Sequence, residues 1–500
     1  MSEQFLSSET LLNFEKTVLR PDRRWLSIPH TGIARPALVL AAGEIVTLPK
    51  NRIEVGEQLV LRYGAAHDRL KGGGVMLVVK LSTSSGVAEL ARLPIADDST
   101  GLVPREILFD ISPWAGQEAA IRLQVTNASK APNAWLAIYD AAVSTPERHG
   151  LMHARAFRTE RTENEIQHFS TVYDHAMYQI RPSEFREQSR QCIPLKDLVT
   201  SQCDTEIAAP MTIAHPLPAD VLPSTSNPYE YAHHILGLNL QAPAPDFSTR
   251  LADMGQRRNA TPDRPLKILS LCAGAARIES QFARNAGTPS HWTLLDISSD
   301  LLNRATHNFE GLPAPRLVLA DVNEVEPFGE KFDIVVCISG LHHVVELERV
   351  ISFIRDVLVD DGEFWSIGEA IGRRGNRLYE QDYLAANQLF QSLPARYRRN
   401  RASGLIDSDL PNVDYSEATF EGIRSDEIET VLSRYFEPVH VYRRNCFLWR
   451  MIDLAYTDNY DLQSMEDVNL IHRLVDAELA HFRAGGRPTE LHGAYRRRLL

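Results

Sequence analysis

The chain has few of the features that stabilise small secreted proteins or anchor membrane proteins. Its 500 residues include only five cysteines, at positions 192, 203, 272, 337 and 446, and no Cys-x-x-Cys pair. Such widely spaced cysteines, odd in number, predict neither a disulfide framework nor a structural zinc site. No run approaches the roughly 18–20 apolar residues that a membrane-spanning helix needs.

Positive charge is also scarce, because 53 Lys and Arg residues face 65 Asp and Glu residues and the net charge is −12. An acidic chain binds nucleic acid poorly and is repelled by anionic membranes. The beginning of the sequence carries Glu3, Glu9 and Glu15 where a signal peptide needs an apolar core, so we expect a cytoplasmic protein. The sequence shows no internal repeat and no low-complexity tract.

The composition is that of a globular protein, with 44% apolar and 24% charged residues, and the length predicts roughly two to four domains. We expect a helical lead-in at 1–30, an antiparallel β-sandwich at 31–148 and a helical connector at 149–250. A doubly wound domain is expected at 251–460, followed by closing helices and an exposed basic tail at 461–500. The sandwich is predicted from six period-two runs, at 37–40, 58–62, 75–81, 107–111, 120–125 and 135–139.

Strands and helices alternate from residue 266 onward. Five apolar runs of strand length, at 266–271, 292–295, 316–319, 332–338 and 363–367, enclose helical patterns at 277–286, 299–309 and 345–358. This alternation predicts an α/β, Rossmann-like, doubly wound and mainly parallel sheet. Ligands of such sheets bind at the carboxyl ends of the strands, so the residues that follow these strands are the candidate site residues.

The first two strands end in sequences suited to a ligand. The first continues into ILSLCAGAARIE (268–279), whose small residues allow close approach to the backbone and to amides at a helix N-terminus; tight packing is an equal alternative. The second ends at Asp296, which lies 22 positions after Gly274, near the spacing of about 20 expected for a carboxylate that accepts ribose hydroxyls. The alternative is that Asp296 or Ser298 only caps the next helix.

The third and fourth strands end in further polar residues. Asp321 follows the third strand, where a carboxylate can accept from an exocyclic amine of adenine. The fourth strand ends in Ser339, Gly340, Leu341, His342 and His343. Histidine titrates near neutrality and suits proton transfer, although both rings could simply shape the loop.

In this order the motifs resemble those of class I S-adenosylmethionine-dependent methyltransferases, over about residues 266–370. LSLCAGAAR stands for the Gly-rich first motif, LLDIS for the acidic second, LADVNEVEPFGEKFDIVVCISGLHHV for the third and fourth, and LVDDGEFWSIGE for the next strand. The sequence departs from the family at Ser270, where an acidic residue is usual, and at Cys272 and Ala276, which replace two of three glycines. Glu279 or a residue of 151–240 could replace the missing acid.

The resemblance implies S-adenosyl-L-methionine as cofactor and assigns roles to individual residues. The cofactor-binding residues would be Leu271, Cys272, Ala273, Gly274, Asp296, Ile297, Asp321, Val322 and Ser339. The catalytic candidates are His342 and His343, and the acceptor-binding candidates are Tyr173, Arg373, Arg377 and Tyr379, the last three within an insertion at about 373–415. A solvated basic face is the alternative for most of these arginines. Spacing predicts no metal site, although the histidine pair with acidic neighbours leaves one open.

The implied function is methyl transfer to a hydroxyl or amine of a small polar or glycan acceptor, in polysaccharide or secondary-metabolite biosynthesis. Residues 107–143 resemble the late strands of jelly-roll, galactose-binding-like modules, which favours carbohydrate. The alternatives are a protein or peptide acceptor docked by the sandwich and a non-catalytic scaffold without cofactor binding. No nucleic-acid partner or membrane span is expected, and the sequence does not indicate the oligomeric state.

Overall fold

The structure, a computed structural model, describes residues 22–27, 34–48, 50–66, 75–95, 104–127, 135–172, 227–240, 245–325 and 329–498. The chain divides into two compact units. The first comprises residues 1–161 and 417–419, and the second comprises residues 162–416 and 420–500. Among the described residues, no helix is both long enough and apolar enough to cross a membrane.

The first unit contains two antiparallel sheets. Its strands are β1 (Asp22–Ser27), β2 (Ala34–Ala41), β3 (Ile45–Thr47), β4 (Asn51–Arg52), β5 (Gln58–Ala65), β6 (Val75–Thr83), β7 (Gly86–Pro94), β8 (Arg105–Asp110), β9 (Glu118–Asn127) and β10 (Trp135–Ser144). One sheet has the order β1-β2-β10-β5-β8, and the other has the order β3-β9-β6-β7, with β4 also paired to β9. Helix α1 (Pro146–Arg155) follows, and α2 (Arg158–Val172) begins at the end of this unit.

The two sheets enclose one apolar core. Leu59 and Leu61 of β5 belong to the same buried cluster as Leu77 and Val79 of β6 and Ile121 of β9. Successive side chains of a strand point to opposite faces, and the members of this cluster alternate along β5 and β6. One face of each sheet therefore packs against the other. The predicted antiparallel β-sandwich is therefore confirmed.

The helical lead-in was a wrong prediction for residues 22–27, which form β1 and pair antiparallel with β2. The rest of the predicted lead-in, residues 1–21 and 28–30, lies outside the described residues. Pairing with β2 decides the conformation of DRRWLS, since strand formation depends on neighbours more than on local propensity. Strand β7 was also missed, because the sequence GVAELARLP lies on a largely exposed surface and has no buried alternation.

The second unit is built on a seven-stranded sheet. Its strands are β11 (Leu266–Leu271), β12 (Ser290–Asp296), β13 (Arg316–Leu319), β14 (Phe332–Ile338), β15 (Leu358–Ala370), β16 (Phe436–Arg444) and β17 (Glu490–Arg497). Its helices after α2 are α3 (Pro228–Asn239), α4 (Phe247–Arg257), α5 (Arg277–Ala286), α6 (Ser299–Asn308), α7 (Leu347–Val357), α8 (Glu380–Ser392), α9 (Ile428–Tyr435), α10 (Trp449–Ile452) and α11 (Met465–Arg483). Short 3₁₀ helices lie at Ser112–Trp114, Leu341–His343, Ala395–Arg398, Tyr415–Glu417, Ser425–Glu427 and Thr457–Asn459.

The strand order β13-β12-β11-β14-β15-β17-β16 is that of a doubly wound sheet with one reversed strand. Strand β17 is antiparallel to both of its neighbours, whereas β11 to β15 are parallel. The chain first moves outward from β11 to β12 and β13 and then returns to β14 on the other side. The carboxyl ends of β11 and β14 therefore flank the topological switch point, where such sheets bind ligands.

The predicted basic tail was wrong, because residues 490–497 form β17 in the sheet rather than an exposed segment. Leu491 and Ala494 are fully buried. Their arginine neighbours pair with acidic residues of β15: Arg496 Nη2 lies 3.4 Å from Glu363 Oε1, and Arg497 Nη2 lies 2.5 Å from Asp360 Oδ1. The doubly wound sheet thus extends past the predicted boundary at 460.

Candidate active site

The loop after β11 passes through the left-handed region of backbone conformation three times. The φ angles are 51° at Cys272, 53° at Gly274 and 49° at Ala276, directly before α5 begins. Only glycine adopts this region without strain, so Cys272 and Ala276 hold a conformation that their side chains disfavour. The loop thus has left-handed backbone at two positions where this sequence has no glycine.

Asp296 ends β12 and links three segments of the site. Its Oδ2 accepts a hydrogen bond from Gly274 N and its Oδ1 accepts one from Ser298 N, both over 2.8 Å. Burial raises the pKa of Asp296, and these backbone donors oppose the increase. The cap of α6 is Ser298, whose side chain accepts from Leu301 N. Each carboxylate oxygen has a second lone pair, so Asp296 can still accept hydroxyl donors.

A buried carboxyl group lies beside the position where the first motif lacks its acid. Ser270 Oγ donates to Glu279 Oε1 over 2.7 Å, and Glu279 is 3% exposed. Burial raises the pKa of Glu279 to about 7, against the hydrogen bond from Ser270. Nearby, Arg277 Nη1 is buried without a hydrogen-bond partner among the described residues. The two groups fit the ammonium and carboxylate of an amino-acid moiety; the sequence suggested Glu279 but not Arg277.

Asp321 is coupled to the turn that follows β14. Its Oδ1 accepts from Asn323 N and Asn323 Nδ2, and Asn323 Oδ1 in turn accepts from Val345 N and Glu346 N over 2.9 Å. The ends of β13 and β14 are therefore held together by one amide side chain. The resemblance also places Val322 at the adenine edge and Ile297 against the adenine ring, and in the structure Val322 is buried and Ile297 half-buried.

The turn after β14 is held by a fully buried glutamate. Ser339 has a φ of 47° and its Oγ donates to the Gly368 carbonyl over 2.8 Å. Glu369 accepts from the backbone N–H groups of Leu341 and His342, over 2.9 and 2.8 Å, and from His342 Nδ1 over 2.5 Å. The first free amides of the 3₁₀ helix Leu341–His343 are thus satisfied by one carboxylate.

Both predicted histidines belong to a group that we name the His–Glu cluster: His342, His343 and Glu421, with Glu369 and Glu165 behind the two rings. His342 Nε2 lies 3.4 Å from Glu421 Oε1, and His343 Nε2 lies 3.4 Å from Glu421 Oε2. The Nδ1 atom of His343 pairs with Glu165 Oε1. Burial opposes charge on His342, but the carboxylates of Glu369 and Glu421 raise its pKa to about 10. Burial likewise opposes the charge of Glu421, but the two histidines lower its pKa to about 2.

The predicted acceptor-binding residues have different partners, and only Arg373 and Arg377 are bonded to each other among those that the structure describes. Tyr173 lies outside the described residues. Arg377 is 6% exposed; its Nε donates to the Arg374 carbonyl and its Nη2 lies 3.5 Å from Asp414 Oδ2. Arg373 forms an isolated backbone bridge with Arg377, and the ring of Tyr379 lies 4.6 Å from the Arg487 guanidinium. An acceptor-binding role for these residues stays a prediction.

The sequence from 268 to 362, from β11 into β15, matches the family described as "Methyltransferase domain". Residues 268–362 form a methyltransferase domain. The match confirms the predicted class I, S-adenosylmethionine-dependent family for this part of the chain. No curated protein matches the chain in sequence.

The chain is also similar to solved structures, at low identity. An S-adenosylmethionine-dependent methyltransferase from Clostridium acetobutylicum is 20% identical over 28% of this chain and 58% of its own, with a TM-score of 0.19. The amino pentose methyltransferase CalS10 from Micromonospora echinaspora is 24% identical over 28% and 54%, with a TM-score of 0.20. The [4+2]-cyclase SpnF is 15% identical over 50% and 82%, with a TM-score of 0.28.

The chain spans only part of the structures that it resembles. It covers 31% of the citrinin polyketide synthase CMeT domain structure, 58% of the Clostridium acetobutylicum methyltransferase and 35% of the methyltransferase CalH. Such low TM-scores carry no argument about activity. The function therefore has to be argued from the family match and from the residues of the site.

Proposed function

We propose that the second unit binds S-adenosyl-L-methionine at the carboxyl edge of β11 to β14 and transfers its methyl group to a small polar or glycan acceptor. The observation that carries this proposal is the arrangement of Asp296, Glu279 and Arg277 around the left-handed loop that follows β11. They are a carboxylate that can accept hydrogen bonds from hydroxyls, a buried carboxyl group and a half-buried arginine whose Nη1 is buried, within a domain that matches the methyltransferase family.

Each part of the cofactor has a matching group in this arrangement. Asp296 would accept the ribose hydroxyls with the lone pairs that Gly274 and Ser298 leave available. Glu279 would hold the ammonium of the methionine part, and Arg277 Nη1 its carboxylate. Leu271, Cys272, Ala273 and Ser339 would line the remaining loop, and Ile297, Asp321 and Val322 the adenine.

When bound, S-adenosylmethionine supplies a methyl group that its sulfonium has already made electrophilic. The chain must then hold the acceptor atom in line with the methyl–sulfur bond and exclude water. A hydroxyl acceptor must also lose its proton. His342 and His343 follow Ser339 at the carboxyl edge of β14, so we propose that they position the acceptor or move its proton.

A hydroxyl or amine of a sugar or another small polar molecule is the acceptor that we favour over a protein or peptide. The sandwich of the first unit resembles carbohydrate-binding modules in its late strands, which supports a glycan or sugar-containing acceptor. This likeness concerns the fold and is a weaker argument than the site itself.

Calorimetric titration of the full chain with S-adenosylmethionine and S-adenosylhomocysteine tests the proposal. Micromolar binding is expected, and a folded chain that binds neither molecule would contradict it. Transfer of a radiolabelled methyl group from S-adenosylmethionine is then measured with two possible sources of acceptor. These are the small-molecule fraction and the protein fraction of one cell extract. Label in the small-molecule fraction supports the acceptor class; label only in protein would replace it with a peptide acceptor.

A further inference from the structure

We propose that the His–Glu cluster binds one divalent transition-metal cation, with His342 Nε2, His343 Nε2 and the carboxylate of Glu421 as its ligands. One ligand atom from each of these three residues lies within 4.8 Å of the others. The two histidines come from the turn after β14, whereas Glu421 comes from the segment before the 3₁₀ helix Ser425–Glu427. Because that partner is distant in sequence, the local spacing that predicted no metal could not reveal the site.

Both imidazoles are oriented from the side that faces away from Glu421. Glu369 accepts a hydrogen bond from His342 Nδ1 at 2.5 Å, which directs the Nε2 of that ring toward Glu421, and a Glu165 carboxylate oxygen lies beside His343 Nδ1 as its ion-pair partner. A cation would bind each Nε2 in place of its proton, since a histidine that binds a metal is neutral. Metal-binding histidines are commonly oriented in this way, by a carboxylate on the nitrogen that does not bind the metal.

The spacing of the ligand atoms fits a cation between them. Both Nε2–oxygen separations are 3.4 Å, longer than the usual hydrogen-bond range of about 2.7–3.2 Å. Two ligand atoms that each lie roughly 2.1 Å from a cation, with a tetrahedral angle between their bonds, are about 3.4 Å from each other. Both rings form ion pairs with Glu421 at these distances, and the same distances fit three ligands around one cation.

Charge and access also favour a cation. Three carboxylates, those of Glu165, Glu369 and Glu421, surround two imidazoles, and carboxylates in a protein interior need compensating charge. Asn376 Nδ2 donates to Glu421 Oε1 and fixes this carboxylate. The Glu421 side chain is 28% exposed, so solvent or an acceptor can reach the site.

The donor set indicates the class of ion. Two imidazoles and one carboxylate bind zinc and similar first-row cations, and three protein ligands leave a position for water or substrate. A cation here would bind an oxygen of the acceptor next to Ser339; that role rests on the proposed methyl transfer, whereas metal binding itself does not.

The test uses the full chain, stripped with a chelator and dialysed, without S-adenosylmethionine. Calorimetric titration with Zn²⁺ is expected to give one ion per chain with micromolar or tighter affinity. Co²⁺ is expected to give the strong visible absorption bands of a tetrahedral site. Glu421→Gln and His343→Gln should each weaken Zn²⁺ binding at least about tenfold, as losing a ligand does.

His307→Gln is the matched control, because His307 is 80% exposed and pairs only at the surface with Glu310. It should leave Zn²⁺ affinity unchanged. Weak binding of several ions, or binding that Glu421→Gln and His343→Gln leave unchanged, would overturn the proposal. If the thermal melts show that these variants do not fold, the wild-type Co²⁺ spectrum decides, and a spectrum without tetrahedral bands overturns it.

Titration of the same metal-free protein with S-adenosylmethionine separates the two proposals. Cofactor binding without a stoichiometric Zn²⁺ site would refute the metal site and leave the methyltransferase proposal intact. A stoichiometric Zn²⁺ site without cofactor binding would support the metal site and refute the methyltransferase proposal.

Discussion

The backbone N–H of Gly274 and the carboxylate of Asp296 are joined by a hydrogen bond of 2.8 Å, which ties the loop after β11 to the end of β12. A second bond, from Ser298 N to the other carboxylate oxygen, ties the same group to the start of α6. Asp296 therefore shapes the loop, in addition to the ribose-binding role that we propose for it. Any change that removes one of its oxygens should affect both roles.

Asp296→Asn should lower the affinity for S-adenosylmethionine by at least about tenfold. The amide keeps one carbonyl oxygen and loses the charge, and hydrogen bonds to a charged group contribute about 1.5–3 kcal/mol. Calorimetric titration measures the change. Asp300→Asn is the control, since the Asp300 carboxylate is 53% exposed and pairs with Arg304. Equal affinities for both variants would remove Asp296 from the cofactor site.

Ala276→Gly should be tolerated far better than Ala275→Gly, although both alanines are buried. At Ala276, with a φ of 49°, glycine relieves about 1–2 kcal/mol of left-handed strain, which offsets the lost methyl group and the added freedom of the unfolded chain. Ala275 lacks a positive φ, so only the losses remain. Urea denaturation should separate the two variants by about 1–2 kcal/mol. Equal losses in the free energy of unfolding for the two variants would contradict backbone strain at Ala276.

The parts of the fold that could be predicted are those in which each element carries its own signal. Strands such as β11 and β14 are apolar runs buried on both faces, and α7 has one apolar stripe, so alternation alone indicated the doubly wound sheet. Asp296 followed from this, because it ends a strand at a defined distance from Gly274.

The parts that could not be predicted depend on contacts between distant segments. Glu421 and Glu165 are far from His343 in the sequence, and only folding brings them to it. Strand β17 carries an arginine-rich sequence that resembles a tail, and the acidic residues of β15 that pair with it become visible only in the sheet.

Gly340→Ala should destabilise the protein by about 1–3 kcal/mol, the usual cost of overpacking a core. A Cβ at Gly340 would lie 2.7 Å from Cys272 Cβ and 2.8 Å from Cys337 Sγ, two atoms with little freedom to move. Gly237→Ala is the comparison, because its added methyl would meet only Tyr442 Oη at 3.7 Å within α3. That change should stabilise the helix by about 0.5–1 kcal/mol. Thermal denaturation measures the stability of both variants. An unchanged midpoint temperature for Gly340→Ala would show that the turn after β14 can move to accommodate the methyl group.

The ionisation of Glu279 should make stability depend on pH. Burial raises its pKa from 4.5 to about 7 in the folded chain, where it faces Ser270, Asp296 and Arg277. Between those values the folded state keeps a proton that the unfolded state releases. The contribution of Glu279 to the free energy of unfolding is therefore fully present below about pH 4.5 and is lost as pH rises through about 7. Glu279→Gln removes the titration, so the variant should gain in midpoint temperature relative to the wild type from pH 5 to pH 8.

The comparison of midpoints at the two pH values isolates Glu279, because all other titrating groups, including Glu230 with a pKa of about 7, are common to both proteins. Glu310→Gln serves as the control, since its 78% exposed side chain should leave the pH dependence as it is in the wild type. Parallel stability profiles for Glu279→Gln and the wild type would show that Glu279 is already ionised in the folded chain. The carboxylate would then be charged before any ligand arrives, and its place beside Ser270 would depend on the nearby guanidinium of Arg277 rather than on a retained proton.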